Sequence, residues 1–349
     1  MISLLFLGLQ SSLASDLDTK LSAAYKADEP GVAVLVAKLD GTILFKKGYG
    51  LADIETKEPF TTNTVSNTGS ISKTFVAYGV LKLVELEKIK LSDTLDKFFP
   101  DFEHPEVAKA VRIEHMLSHT SGLPDIRNVQ QNREHFLTAK DLENFAPLKG
   151  AQKLSFEPGN QFEYSNPAFN GLALIIEKVS GRRWQGFVQD NIFKPSGMTT
   201  SRITDGPEPS KGVAHAYDKV GEKWTENDYG EFPTFAASGN GGIWCSVEDL
   251  LRYEVAIQRS SFLRRDLIDL SRTAFAPSNW KSTSKPAVGH SWFIGDGIVY
   301  HSGSQGAFRA WHDVYPSKNL VVIWLGNSGQ HSMSARTILN ETLKAHGLL

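Results

Sequence analysis

The sequence predicts an α+β fold, in which an antiparallel sheet is flanked by an N-terminal and a C-terminal helix and carries a mainly helical insertion. Two apolar strands, residues 31–37 and 42–49, are joined by Asp40-Gly41, which is a strong hairpin signal. Several further strand-like segments follow one another near the C-terminus. The residues between these two groups of strands have the patterns of helices and loops, so the two groups are expected to form one sheet.

Length and composition allow a large core and argue against some partners. At 349 residues the chain exceeds the usual size of a single core, so we expect one composite domain or two interleaved ones. The formal net charge is −2 and no basic cluster is longer than a pair, so nucleic acid and anionic membranes are not expected partners. The single cysteine, Cys245, excludes an internal disulfide and is expected in the core.

The N-terminus resembles a secretory signal. Residues 1–9 are almost wholly apolar and residues 12–14 match a small-x-small cleavage site, so residues 1–14 are predicted to be a signal peptide and the protein to be periplasmic or secreted. No lysine or arginine precedes this short run, which leaves a truncated start or an ordinary buried N-terminus as alternatives. No other stretch approaches membrane-spanning length.

The order of predicted elements divides the chain into two regions. Residues 15–65 and 240–349 are predicted to form the sheet domain, and residues 66–239 the helical insertion, with the site at their junction. Residues 204–244 are rich in glycine, proline and tyrosine and are expected to form loops over that site. Helices are predicted over residues 17–26, 70–86, 168–179, 246–259 and 333–346, and late strands over residues 292–295, 297–301, 308–315 and 320–325.

A serine and a lysine stand three residues apart where the second predicted helix begins, at Ser70 and Lys73. Residues with this spacing share a helix face. Residues 75–81 carry no charge, so this helix belongs in the core, where burial and the helix dipole both favour a neutral amine. A neutral amine beside a hydroxyl group is the arrangement of a general base and a nucleophile.

The same S-x-x-K spacing occurs twice more, at Ser278 with Lys281 and at Ser282 with Lys285. Both pairs fall in a polar loop flanked by prolines, where nothing would desolvate a lysine, so we interpret them as chance matches. A serine near a helix start is usually a cap. The assignment of Ser70 therefore depends on other motifs.

Two further motifs each occur once, Tyr164-x-Asn166 and His301-x-Gly303. Together with Ser70 and Lys73, and in this order, they resemble the motifs of serine penicillin-recognising enzymes, the group of class C β-lactamases, D-Ala-D-Ala carboxypeptidases, D-amino-acid peptidases and β-lactamase-like esterases. The resemblance covers nearly the whole chain. It implies a β-lactamase/transpeptidase-like fold, in agreement with the predicted sheet and helical insertion.

Acyl transfer needs a nucleophile, a base, a proton donor for the leaving group and donors for the oxyanion. Ser70 is the predicted nucleophile and Lys73 the near base. Tyr164 is predicted to pass protons to the leaving group, with its pKa lowered by nearby cationic groups. Asn166 is predicted to hold the substrate's amide carbonyl, because a carboxamide both donates and accepts hydrogen bonds.

The third motif is predicted to bind substrate. One oxyanion donor is expected from the amide of Ser70, and the resemblance places the second at Ser304. In many β-lactamases this motif carries a lysine that binds a substrate carboxylate, whereas this chain has His301 with Gly303. A histidine can donate a hydrogen bond but is mostly neutral at pH 7. Carboxypeptidase-like and D-aminopeptidase-like members carry histidine there, so the resemblance favours them over an efficient β-lactamase.

The sequence therefore predicts a serine hydrolase that forms an acyl-enzyme on an amide or ester, either peptidase-like or esterase-like. Its expected partner is a small-molecule or peptide substrate, and neither a cofactor nor a metal ion is expected. A β-lactamase and a non-hydrolytic penicillin-binding or sensor protein of the same fold stay open as alternatives. The substrate and the oligomeric state are left open.

Two other enzyme classes are weaker candidates. His115 and His119 are four residues apart, as on one helical face, but the H-E-x-x-H order of metallohydrolases is absent. An α/β-hydrolase would need a G-x-S-x-G elbow, which the chain lacks. We interpret His119 and Ser118 as structural residues of a turn.

Overall fold

The computed structural model describes residues 2–129, 131–204, 212–228, 237–280 and 287–349, and only the backbone of residues 2–11, 133, 136 and 137. Lys281 of one chance S-x-x-K pair, and the whole of the other pair, lie outside the described residues. Parts of the loops expected over the site, residues 205–211 and 229–236, also lie outside them.

The main sheet has seven antiparallel strands. The strands are Val32–Ala37 (β1), Ile43–Tyr49 (β2), Ala287–Val288 (β3), Phe293–Gly295 (β4), Ile298–Gln305 (β5), Phe308–Tyr315 (β6) and Leu320–Gly326 (β7). Their spatial order is β3-β4-β5-β6-β7-β1-β2, so the early hairpin extends the sheet formed by the late strands. The predicted α+β fold with an antiparallel sheet is confirmed.

Both faces of the sheet are covered, which explains why β1 is apolar throughout. All six residues of β1 are buried, and their side chains alternate between two separate cores. Ala33 and Leu35 belong to the core shared with the helical region, whereas Val32 and Val34 belong to the core under the terminal helices. The sequence of a strand that is buried on both faces does not alternate between polar and apolar residues.

Five helices are long enough to organise the core: Ile2–Ala24 (α1), Ser72–Glu85 (α2), Asn166–Ser180 (α3), Val247–Arg259 (α4) and Met333–Ala345 (α5). Helices α1 and α5 pack together on one face of the sheet, α4 packs on β1 and β7, and α2 packs against α3. Ser246 caps α4, accepting a hydrogen bond from the amide of Asp249 at 3.1 Å. The Asp249 carboxylate turns instead to Thr200, Ser201 and Arg252, so the reciprocal capping bond is not formed.

The region between the two groups of strands also contains small sheets. A hairpin, Tyr217–Val220 with Lys223–Glu226, lies within the segment that was predicted to be loops. Ile243–Cys245 pairs with Ser66–Asn67 and with Arg202–Ile203, which places the buried Cys245 between the helical region and the sheet. The remaining α-helices are short: Pro105–Ala110, Ile113–Leu117, Arg133–Thr138, Asp141–Phe145, Trp184–Val188, Lys194–Ser196, Ser238–Gly241 and Arg265–Ser271.

Helix α1 starts earlier than the predicted helix and includes the predicted cleavage point at residue 14. Leu13, Leu17 and Leu21 are buried against the sheet and α5. Cleavage by a signal peptidase therefore stays a prediction. Among the described residues, no helix combines the length and the apolar character that crossing a membrane would require.

Candidate active site

Ser70 and Lys73 contact each other where the helical region meets the sheet. Lys73 Nζ lies 2.9 Å from Ser70 Oγ and 2.7 Å from the carbonyl oxygen of Asn240. Ser70 sits in a 3₁₀ turn, Gly69–Ile71, immediately before α2, and not in the first turn of α2 itself. The predicted pair is thus within hydrogen-bond distance, and the Asn240 carbonyl fixes the amine from a second side.

Lys73 is completely buried because α2 is apolar on nearly every side. Every residue from Ser72 to Leu81 is buried, and Phe75 stacks on Tyr253 of α4 with ring centroids 4.0 Å apart. The amine also lies 5.0 Å from the ring centroid of Tyr164, a distance at which a cation and an aromatic face attract each other.

Two glycines bring the turn that carries Ser70 against the half of β5 that extends beyond its pairing with β4. A Cβ atom on Gly303 would lie only 1.8 Å from the carbonyl oxygen of Thr68 and 3.0 Å from the amide nitrogen of Ser70. A Cβ atom on Gly69, where φ is +49°, would lie 2.5 Å from the amide nitrogen of Ser304. The amides of Ser70 and Ser304 are therefore brought to one place by a contact that admits no side chain.

Tyr164 is held in place by the imidazole of His119. The two rings stack with centroids 4.3 Å apart and an interplanar angle of 23°. His119 is buried, accepts a hydrogen bond at Nδ1 from the amide of Ser165 at 3.0 Å, and has its carbonyl bonded to the amide of Glu163. Burial, and after it the charge of Lys73 and the nearby His301, lower the pKa of His119 well below its usual value. A neutral imidazole thus positions the residues of the second motif.

Asn166 begins α3, two residues earlier than the sequence indicated. Ser165 is the N-cap, accepting a hydrogen bond from the amide of Ala168 at 3.3 Å, and Pro167 follows in the first turn, where proline is tolerated. The cap directs Asn166 into the cavity with Ser70. Its carboxamide forms no hydrogen bond with other described residues, so it is available for a ligand.

His301 lies in the same cavity and is neutral. Its Nδ1 donates to the carbonyl oxygen of Ser302 at 2.7 Å, so the neutral ring presents Nε2 as an acceptor, and this atom has no partner among the described residues. Burial, and after it the nearby Lys73, lower the pKa of His301 to about 3. The sequence predicts that His301 donates a hydrogen bond to substrate, but its N–H at Nδ1 bonds the backbone of its own strand instead.

A buried charged network lies behind His301. His312 is the cross-strand partner of His301, and its Nε2 is 3.2 Å from a carboxylate oxygen of Glu254. Arg272 binds both oxygens of that carboxylate, at 2.9 and 2.8 Å. Burial alone would raise the pKa of Glu254, but Arg272 and His312 lower it overall, so the carboxylate is ionised. The bidentate pair joins α4 to the end of the short helix Arg265–Ser271, and the His312 contact joins α4 to β6 of the sheet.

One cavity of about 480 Å³ collects the predicted site residues. Among its described lining residues, Arg309 is the only one with a charged side chain. Phe293, Trp311 and Met333 add apolar surface, and Gln330 is polar. The predicted residues that line the cavity are Ser70, Tyr164, Asn166, His301, Gly303 and Ser304.

A larger cavity of about 580 Å³ lies on the other side of the turn at residues 118–124, and Ser70 does not line it. His115 faces that cavity, whereas His119 packs on Tyr164. The short helix ends at Leu117 and His119 has a φ of +56°, so the sequence-based placement of the two histidines on one helical face is wrong. No nucleophile with an adjacent base occurs among the described residues of this larger cavity.

Within the described part of the chain, one group of side chains has the spacing of metal ligands, namely His215, Glu226 and Asp228. His215 Nδ1 already bonds Asp228 at 2.9 Å, and the other oxygen of Asp228 accepts from the amide of Ala216 at 2.6 Å. We interpret this cluster as a link between the hairpin and the chain before it. It does not line the cavity with Ser70.

The fold is that of the penicillin-binding proteins and β-lactamases. The sequence model of the Beta-lactamase family matches residues 17–344, and the chain belongs to this family. It is 27% identical over 323 residues to Penicillin-binding protein 4* of Bacillus subtilis, covering 87% of this chain and 70% of that protein. Protein flp of Staphylococcus aureus is 26% identical over 316 residues, 86% of this chain and 60% of that protein, so the chain spans less than two thirds of this relative.

Solved structures agree with the fold. The octameric penicillin-binding protein homologue from Pyrococcus abyssi superposes with a TM-score of 0.78 at 26% identity, over 95% of this chain and 77% of that one. The D-amino acid amidase from Ochrobactrum anthropi SV3 superposes with a TM-score of 0.76 at 20% identity, over 97% and 98% of the two chains. The latter likeness concerns the fold alone.

Three contacts were missed from the sequence. Asn240 lies in the segment of residues 204–244 that is predicted to form loops, and a contact made by a backbone carbonyl leaves no signal in the sequence. His119 is predicted to be a structural residue of a turn, and only the fold brings it to Tyr164. Arg309 could have been found, because the tight turn between β5 and β6 places it directly opposite Ser304.

We expect Gly303→Ala to destabilise the protein by about 3 kcal/mol or more, because its Cβ would overlap the Thr68 carbonyl and force the backbone apart. Gly186→Ala is the matched control: its Cβ would meet only Arg182 Nη2, at 3.6 Å, and alanine favours the helix by up to about 1 kcal/mol. Urea denaturation measures both free energies of unfolding. Equal stability of the two variants would contradict the close contact.

We expect His301 to make the free energy of unfolding fall on acidification. Its pKa is about 3 in the folded protein and about 6.5 when unfolded, so its contribution is complete above pH 6.5 and is lost as the pH falls towards 3. Between pH 7 and pH 5 the loss is about 2 kcal/mol. Urea denaturation of the wild type and of His301→Gln at both pH values isolates this contribution, and equal pH dependence of the two proteins would disprove it.

Proposed function

We propose that the chain is a serine hydrolase that forms an acyl-enzyme at Ser70 on an ester or an amide. The observation that carries this proposal is the 2.9 Å contact between Lys73 Nζ and Ser70 Oγ, made by a lysine that is completely buried. A buried amine in contact with a hydroxyl group can accept its proton as the oxygen attacks. The family membership supports the same chemistry.

In the acylation step, Ser70 Oγ forms a bond to the substrate's carbonyl carbon while its proton moves to Lys73 Nζ. The carbonyl electrons move to the oxygen, and the developing negative charge is met by the backbone amides of Ser70 and Ser304. Such preorganised donors stabilise the transition state more than the substrate. The close contact of Gly69 and Gly303 keeps these two amides together.

The bond between the carbonyl carbon and the leaving atom then breaks, and the leaving atom takes a proton from the Tyr164 hydroxyl. Lys73 returns a proton to Tyr164, and a water molecule repeats the sequence on the acyl-enzyme to release the acid. His119 holds the Tyr164 ring for this transfer through the stacking contact. Asn166 binds the carbonyl or amide group of the acyl portion through its carboxamide.

The substrate class follows from the charge of the third motif. Nε2 of His301 is a neutral acceptor, so this motif offers no cation to the carboxylate of a β-lactam. A D-amino-acid amide, an ester or a peptide cleaved at its amino-terminal D-residue needs no cation at this motif. A fold shared with the D-amino acid amidase is compatible with this choice.

The second candidate is a non-hydrolytic penicillin-binding protein, which the name of the Bacillus subtilis relative favours. Intact-mass spectrometry after mixing with an activated ester and with a penicillin separates the two. A hydrolase returns to its free mass within the turnover time, whereas a binder keeps the adduct. A hydrolysis screen over esters, D-amino-acid amides, stem peptides and β-lactams then identifies the substrate class.

We expect Ser70→Ala to abolish hydrolysis and acylation while the protein stays folded, because the variant lacks Oγ, the atom proposed to form the covalent bond with the substrate. Ser278→Ala is the matched control, since Ser278 also precedes a lysine by three residues but bonds the carbonyl oxygen of Asn160 on an exposed loop. Steady-state rates and intact mass measure the outcome. Hydrolysis by Ser70→Ala at the wild-type rate would refute the proposal.

We expect Lys73→Ala and Tyr164→Phe each to lower kcat/KM by about a hundredfold or more, as for the loss of a proton-transfer group. Tyr164→Phe keeps the ring that stacks on His119 and removes only the hydroxyl, so its fold is unchanged. Circular dichroism checks the fold and steady-state kinetics the rate. A Tyr164→Phe enzyme with full activity would exclude Tyr164 as the proton donor.

A further inference from the structure

The cavity with Ser70 contains one positive charge that the three motifs do not account for. Arg309 lies on β6 directly opposite Ser304 of β5, whose amide is the proposed second oxyanion donor. His301 comes three residues before Ser304 on β5, which is roughly 10 Å along the strand. The positive charge in this cavity therefore lies at the Ser304 end and not at the third motif.

The guanidinium of Arg309 is held by the turn between the two strands. Its Nη1 donates to the carbonyl oxygens of Gly306 and Phe308, both at 2.7 Å. The turn itself packs on the chain at Asn227, because a Cβ on Gly306 would lie 2.2 Å from that carbonyl oxygen. Arg309 is thus anchored through one nitrogen by a fixed stretch of backbone.

The other two nitrogens of this guanidinium are not engaged. Within the described ranges of the chain, neither Nε nor Nη2 of Arg309 donates a hydrogen bond, and no carboxylate pairs with the side chain. These two nitrogens form the fork that binds both oxygens of a carboxylate side by side. The half-buried side chain shares the cavity wall with Trp311 and Met333, whose apolar surfaces strengthen an ionic contact there.

We propose that Arg309 binds a carboxylate group of the substrate, so that the site selects anionic esters or amides. The inference rests on the proposed acyl transfer at Ser70 and specifies its substrate. The carboxylate belongs either to the acyl portion or to the leaving group, and the same guanidinium contact serves both sources. Arg309 thereby supplies the cation that the neutral His301 does not.

Two pairs of esters with matched shape distinguish the sources. In the acyl pair, mono-p-nitrophenyl glutarate carries a carboxylate where p-nitrophenyl valerate carries a methyl group. In the leaving-group pair, meta-(valeryloxy)benzoate carries a carboxylate where meta-(valeryloxy)benzamide carries an amide. We expect kcat/KM of the anionic member to exceed that of its neutral partner by about tenfold or more in one pair.

Variants assign this preference to the guanidinium. In Arg309→Gln the anionic-to-neutral ratio should fall to about one, and in Arg309→Lys it should be intermediate, because the charge stays but the fork is lost. Arg264→Gln is the matched control, since Arg264 is exposed and pairs with Asp266 away from the cavity. It should keep the wild-type ratio. Raising the ionic strength should lower the wild-type ratio.

A binding measurement keeps this test independent of turnover. The same four esters are titrated into Ser70→Ala by calorimetry, and the anionic member of the preferred pair should have a dissociation constant about tenfold lower. Equal binding within both pairs, or a preference that survives Arg309→Gln, overturns the role of Arg309. Failure of acyl transfer at Ser70 gives a different result, namely no Ser70-dependent hydrolysis of any ester.

Discussion

The backbone contact between the turn at Ser70 and the edge of β5 is the constraint on which the rest of the site depends. Gly69 and Gly303 face each other across this contact, and neither position has space for a Cβ atom. The contact joins the helical region to the sheet and brings the backbone amide of Ser304 to the turn that carries Ser70. Glycine is needed at both positions because the required distances are shorter than any side chain permits.

A second constraint is the burial of an amine in an apolar helix. Lys73 has no exposed surface, and its amine contacts the Ser70 hydroxyl and the Asn240 carbonyl. The imidazoles that face the same region, His119 and His301, both have pKa values below the usual one, so they add no positive charge near the amine. Neutral polar partners satisfy the hydrogen-bonding groups of a buried amine.

The network behind His301 shows how the sheet supports the cavity. Glu254 of α4 binds Arg272 through both oxygens and also contacts His312, the cross-strand neighbour of His301. The imidazole of His301 is held by the carbonyl oxygen of Ser302, the next residue on the same strand. Strand register sets which residue of β6 stands opposite His301.

Much of the fold was predictable because its signals are local. Strand β6 was predicted with its observed ends, Phe308 and Tyr315, and β4, β5 and β7 with errors of up to four residues, since apolar patterns and turn residues act over short distances. The two-residue strand β3 was not predicted. Helix α1 was predicted too short because its apolar beginning was assigned to a signal peptide. The hairpin at residues 217–226 was missed because its strands are short and largely exposed.

The sequence by itself determined the three motifs, their order and the apolar character of α2, because spacing along the chain and hydrophobic patterning are properties of neighbouring residues. Only the tertiary structure decided what these residues face. The stacking of His119 on Tyr164, the Asn240 carbonyl at Lys73 and the entry of Arg309 into the cavity with Ser70 all join segments distant in sequence. Such contacts depend on strand register and on how closely the backbones approach, and no local pattern encodes either.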